Sequence, residues 1–178
     1  MIAGLVLAAG AGVRFGEPKA PVVMNGERLV DRAVRCLRDG GCEPILVVLG
    51  AWVGDVPGAQ IVVNDDWATG MASSLRAGLA ALAVRPEVTS VVVTLVDLPG
   101  LTGEAVLRIS EADGNIVVAT YGAERGHPVR FDRQHWHDIS AAASGDEGAR
   151  AFLSGRTDIT FVEVGDVAVG YDVDEPNE

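Results

Sequence analysis

Cysteine is nearly absent from this chain. Cys36 and Cys42 are the only two, and they lack the C-x-x-C spacing that thiol redox chemistry or a zinc site uses, so both read as small core or surface thiols. Basic residues are also few. The 14 Lys and Arg stand against 25 Asp and Glu, a formal charge of -11, and a surface of that sign repels a phosphate backbone or an anionic membrane. Nucleic acid and membrane are therefore poor partners, while a small anion stays compatible if a few cations share one cleft. No long hydrophobic run is present either. The most apolar stretch, Met1 to Val13, has no basic leader, is interrupted by Gly4, Gly10 and Gly12, and runs into Arg14. That fits neither a secretory signal nor a membrane span, and a cytoplasmic protein is expected. Fixed-period repeats and Ser/Pro-rich linkers are missing too.

What is there suits one α/β body. Of the 178 residues 48% are hydrophobic and 22% charged, enough to form a core without disulfides, so a single domain spanning 1–178 is expected. Ile2 to Ala8 is a continuous apolar run ending near glycines, the pattern of a strand buried on both faces. Leu29, Val30, Ala33, Val34 and Leu37 recur at helical spacing within Glu27 to Asp39, with Gly40 and Gly41 as the stop. Further strands are expected over Pro44 to Leu49, Gln60 to Val63 and Thr89 to Val96. Thr69 is placed to cap a helix carrying Met71, Leu75, Leu79 and Leu82, and Thr102 to begin another. Asn115 to Tyr121 and His127 to Phe131 read as strands around a polar turn, Gly122 to Gly126. Helices over Arg133 to Ala142 and Glu147 to Leu153 and a strand over Asp158 to Val164 follow. Such interleaving implies a mostly parallel sheet covered on both faces, with ligands at the carboxyl ends of its strands.

The segment LAAGAGVRFGEPK, Leu7 to Lys19, concentrates glycine and positive charge. Gly10 and Gly12 let backbone amides approach a ligand, and Arg14 and Lys19 add cations, a combination suited to phosphate oxygens. Two familiar phosphate loops do not match. Lys19 lies between Pro18 and Ala20 rather than inside GxxxxGK[ST], and Phe15 stands where GxGxxG needs its third glycine. Asp97 leaves the most hydrophobic strand at its carboxyl end, placed either to hold a divalent cation or to shape the turn before Thr102. Asp172 and Asp174 alternate in an extended segment and share a side, as a further ligand or as a solvated acidic terminus. Ser73 and Ser74 have no His/Asp pair to activate them, and His135 and His137 diverge on a helix, which removes a zinc site.

Six motifs in chain order carry a resemblance. LAAGxGxRFGxPK, NxxWxxGMxSSL from Asn64 to Leu75, DLP at Asp97, GHPV around His127, GDxGAR from Gly145 and DVDxP at Asp172 resemble the MobA-like nucleotidyltransferases, most of all their molybdenum cofactor cytidylyltransferase branch. The resemblance implies a three-layer αβα Rossmann-like fold of the nucleotide-diphospho-sugar transferase type. It also implies Mg2+-dependent transfer of NMP from NTP to an acceptor phosphate, with release of pyrophosphate. On that basis Leu7, Ala8, Ala9 and Gly10 pass along base and ribose, Gly12, Arg14 and Lys19 hold the triphosphate, and Asn64, Gly70 and Ser74 join the nucleotide site. Arg14, Lys19 and Asp97 form the expected catalytic set, the cations balancing charge on the departing pyrophosphate. Asp97 and Asp174 are the expected Mg2+ ligands, and Arg125, His127 and Arg150 the expected acceptor contacts.

Ala9, where guanylyl-transferring relatives read glycine, favours CTP over GTP. The acceptor implied is molybdopterin, and the protein partner implied is a molybdoenzyme or its chaperone. Glu175 replaces the threonine of the family's DxDTPED tail. Two other readings stay open: a nicotine-blue-type NAD(P)H oxidoreductase, a description given to bacterial proteins with this motif set, and a noncatalytic nucleotide-binding or cofactor-handling protein.

Overall fold

The first apolar run forms β1 (Ile2–Leu7), buried from Ala3 onward. In the computed structural model, which describes residues 1–174, a short hairpin follows, β2 (Val23–Met24) with β3 (Glu27–Arg28). Then come α1 (Leu29–Asp39), β4 (Ile45–Leu49), β5 (Gln60–Val63), α2 (Met71–Ala83), β6 (Ser90–Leu95) and α3 (Gly103–Glu111). The last elements are β7 (Ile116–Tyr121), β8 (Glu124–Asp132), α4 (Trp136–Ala142), α5 (Arg150–Leu153) and β9 (Thr160–Glu163). One sheet has the order β5-β4-β1-β6-β8-β7-β9, in which β8 runs antiparallel to both neighbours and every other pair is parallel.

Alternate side chains of the central strands feed two cores. Val6 and Ala8 pack with α1 and α3, whereas Leu5, Leu7 and Ala9 pack with α2, α4 and α5. Three αβα layers result, as the motifs led us to expect. Covering both faces is what lets β1, β4 and β6 be nearly continuous apolar runs, and it leaves the strand ends as the only sheet surface open to a ligand. Among the described residues no helix is long and apolar enough to cross a membrane.

Several local expectations are corrected. Glu27 and Arg28 pair with Val23 and Met24, so α1 starts at Leu29. Thr69 does not cap α2: its hydroxyl donates to the Asp66 carbonyl at 2.7 Å, and Gly70 is the capping residue. The polar stretch before His127 is paired strand, with Glu124 opposite Tyr121 and Arg125 opposite Thr120. The helix expected from Glu147 is only Arg150–Leu153. Thr102 does cap α3, its hydroxyl accepting the Ala105 N–H at 3.2 Å. Glu175 lies outside the described residues.

Candidate active site

β1 brings the chain to the rim of the sheet at Leu7, and residues 8–22 loop back toward α1. Both ends of the loop are pinned: Ala8 N–H donates to the Val48 carbonyl at 3.0 Å, and Phe15 and Ala20 are buried. Between them Gly12 has φ +62°, and a Cβ there would sit 1.9 Å from the Glu17 carbonyl oxygen, so glycine alone closes this turn. The N–H groups of Gly10, Ala11, Gly12 and Val13 have no partner among the described residues. They form a row of donors where β1 ends, suited to anionic oxygens.

Lys19 turns inward from this loop. Its Nζ donates to Asp97 Oδ2 at 2.9 Å and to Asp174 Oδ1 at 3.2 Å, and its side chain is 13% exposed. Burial disfavours the ammonium, but the bonds to and charges of Asp97, then of Asp174, outweigh it and hold the pKa above the ordinary lysine value. Arg14 reaches Asp174 Oδ2 at 3.0 Å from a position 77% exposed, a pair that water screens strongly.

The carboxylates converge from distant parts of the chain. Asp97 follows β6, where the Val96 N–H donates to the Leu7 carbonyl at 3.2 Å. The C-terminal segment returns to this rim, Val169 N–H donating to the Gly100 carbonyl at 3.1 Å and the buried Val173 to the Asp97 carbonyl at 3.0 Å. As a result one carboxylate oxygen from each of Asp97, Asp172 and Asp174 lies within 4.8 Å of the others. Asp97 Oδ1 is buried with no hydrogen-bond partner among the described residues. An unpaired buried carboxylate oxygen is costly, and an all-oxygen donor set of this kind fits a hard divalent cation.

A cleft of about 170 Å³ is lined by Leu7, Gly10, Gly12, Lys19, Met71 and Asp97, among others. Leu7 and Met71 also line a larger cavity of about 450 Å³, so the two chambers share a wall. The larger one is mostly apolar, with Val93, Val118, Phe131 and Leu153 in its walls and Arg125, His127, Glu147, Arg150 and Ser154 as its polar side chains. Arg125 is steadied by stacking over Phe161, 4.5 Å from the ring centroid. Neither ring nitrogen of His127 has a partner among the described residues, and desolvation pushes its pKa down to about 4. At neutral pH the ring is therefore uncharged.

The structure thus gathers Leu7, Ala8, Gly10, Gly12, Lys19 and Asp97 around the smaller cleft, with Asp174 bonded to Lys19, and Arg125, His127 and Arg150 around the larger cavity. Other expected contacts are placed elsewhere. Ala9 is buried in the core on the α2 side. Asn64 is buried and fully committed: Nδ2 donates to Ser73 Oγ at 2.8 Å and Ser74 Oγ at 3.0 Å, and Oδ1 accepts the Asp66 N–H at 3.1 Å. Asn64 and Ser74 therefore shape the start of α2 from beneath. Gly70 does so by backbone: its φ is +113°, and a Cβ would strike the Gly145 carbonyl at 2.5 Å.

Three contributors were not among the expected site residues. Asp172, whose alternation with Asp174 made it the alternative ligand, joins the carboxylates beside Asp174. Met71, expected only as part of a helix, forms the shared wall together with Leu7. Asp146 caps α2, accepting the Met71 N–H at 3.2 Å while the Gly145 carbonyl accepts the Ala72 N–H at 2.9 Å. No local signal announces a cap from 75 positions away.

Free amides, a largely buried lysine and clustered carboxylates thus meet at the carboxyl edge of a mostly parallel α/β sheet, beside a second cavity, an arrangement suited to a polyanion. Comparison with known proteins agrees. The model of the MobA-like NTP transferase domain matches residues 4–160, and the chain belongs to that family. Nicotine blue oxidoreductase of Paenarthrobacter nicotinovorans is 36% identical over 97% of this chain and 92% of its own. A probable molybdenum cofactor guanylyltransferase of Opitutus terrae is 34% identical over 56% of this chain and 50% of its own. Among solved structures, Rv0371C of Mycobacterium tuberculosis H37Rv in complex with manganese superposes with TM-score 0.77 at 28% identity, covering 97% of this chain and 93% of that one.

Proposed function

We propose that this chain is a cytoplasmic transferase that moves CMP from CTP, with Mg2+, to a phosphorylated acceptor, molybdopterin, releasing pyrophosphate. The observation that carries this reading is the common rim: the glycine loop, Lys19 and Asp97 line one chamber, Asp172 and Asp174 cluster with Asp97 beside it, and Leu7 and Met71 join it to a second with Arg125, His127 and Arg150. Here the amides of Gly10 to Val13 hold phosphate oxygens, with Lys19 and Arg14 as their counter-charges. Asp97, Asp172 and Asp174 would hold Mg2+, which neutralises phosphate charge when bound. An acceptor phosphate oxygen attacks the α-phosphorus, the bond to the β-phosphate bridging oxygen breaks, and pyrophosphate leaves with its electron pair. A phosphate nucleophile is already ionised at neutral pH, so positioning and charge balance suffice without a general base.

A second reading has its own support, since the relative named nicotine blue oxidoreductase matches nearly the whole chain and the larger cavity is apolar. In it NAD(P)H gives a hydride, and solvent a proton, to a quinoid ring. The deciding experiment incubates the protein with each NTP, Mg2+ and molybdopterin while following pyrophosphate, then follows NAD(P)H oxidation with a quinone-like dye. Pyrophosphate release with CTP exceeding GTP, reduced about 100-fold or more in Asp97→Ala, is expected; the size is that of losing one preorganised electrostatic group. NAD(P)H oxidation without pyrophosphate would replace the transfer reading. Tight nucleotide binding with neither reaction would make this a binding protein.

A further inference from the structure

Lys19 occupies the place where a divalent cation would be coordinated. Its Nζ bridges Asp97 Oδ2 and Asp174 Oδ1, two of the three carboxylates whose oxygens cluster, while Arg14 takes the other oxygen of Asp174. A bare dication approaching these carboxylates meets an ammonium already seated between them. Displacing Lys19 would leave that cation beside the incoming ion without a counter-charge. A metal–polyphosphate complex meets no such obstacle. It brings positive charge for the carboxylates and negative charge for Lys19, Arg14 and the loop amides, so every group exchanges one partner for another.

We infer that Lys19 is a competitive stand-in for the metal, holding the carboxylates until a metal–triphosphate complex replaces it. The inference deepens the transfer reading and rests on it for the triphosphate. The competition between Lys19 and metal needs no nucleotide. Arg14, being largely exposed, is the minor partner. It also follows that binding is cooperative by linkage: whatever removes Lys19 from the carboxylates raises metal affinity, and metal raises polyphosphate affinity by the same factor.

Free Mn2+ is counted by electron paramagnetic resonance in titrations of wild type and Lys19→Met, without and with inorganic triphosphate. Complexation of Mn2+ by triphosphate itself is measured separately and subtracted. Lys19→Met is expected to bind Mn2+ alone at least about tenfold more tightly than wild type, and wild type to tighten by a similar factor when triphosphate is added. Equal or weaker Mn2+ binding by a folded Lys19→Met overturns the inference, as does the absence of tightening by triphosphate.

A second readout uses unaltered protein. Lys19 is the only lysine in the sequence, so 13Cε-lysine labelling gives one methylene signal. Mg2+ alone, at saturating concentration, should move that signal toward free lysine; a signal unmoved by bound metal overturns the competition. Protein that passes both tests yet binds no CTP keeps the competition and loses only the transfer reading.

Discussion

Lowering the pH should weaken the fold through one identifiable histidine. His127 lines the mostly apolar cavity without a hydrogen-bond partner for its ring among the described residues, and desolvation holds its pKa at about 4 against an ordinary 6.5. Above the ordinary value both folded and unfolded states carry a neutral ring, so stability does not depend on it. Below that value the unfolded chain takes up a proton that the folded one refuses, and stability falls by about 1.4 kcal/mol per pH unit. The fall ends near pH 4, where the folded ring protonates too. The ceiling over this window is about 3 kcal/mol, and because the ring is half-buried about 2 kcal/mol is the working figure. Other groups titrate in the same range, so the quantity to measure is a difference. Urea unfolding of wild type and His127→Gln at pH 7 and pH 4.5 should show wild type losing about 2 kcal/mol more than the variant on acidification. Parallel losses would refute the reasoning and show that the ring is solvated or paired in solution.

Gly70→Ala should cost about 2 to 3 kcal/mol, because φ +113° is strained for alanine and its Cβ meets the Gly145 carbonyl; the denaturant midpoint reads this directly. Asp146→Ala should cost about 1 kcal/mol and speed amide exchange at Met71, with α2 beyond its first turn unaffected. Unchanged exchange at Met71 would mean that Asp146 does not cap the helix in solution. Burial raises the Cys36 pKa and pushes that of Cys42 up to about 11, so at pH 8 neither thiol should react with an aromatic disulfide reagent faster than the protein unfolds.

The sequence was readable where one residue pattern has one physical outcome. β1, β4 and β6 are buried on both faces, so continuous apolar runs mark them, and the Thr102 cap is a contact three residues long. The carboxyl edge as the place for chemistry followed from that layering, with Lys19 and Asp97 on either side of it. What misled was polarity with two explanations. Glu124 to Gly126 looked like turn because few apolar residues are needed at the exposed end of a hairpin, yet the backbone stays paired. Asn64 and Ser74, expected at the nucleotide site from the motif they belong to, are bonded to each other beneath α2, and a buried polar network has the composition of a binding site. Asp146 stands just before α5 in sequence, where a cap for that helix is the natural reading, but its partner is the Met71 N–H, set by tertiary packing and not by spacing.

The return of the C-terminal segment to β6 has a consequence for assembly. The last sheet strand ends at Glu163, but two of the three clustered carboxylates arrive only with Asp172 and Asp174. Scaffold and charge thus come from different stretches of the chain: without that return Lys19 would face a solitary aspartate. A protease cutting behind Val169 would take away both late carboxylates together with the buried Val173, and with them the means to gather a dication.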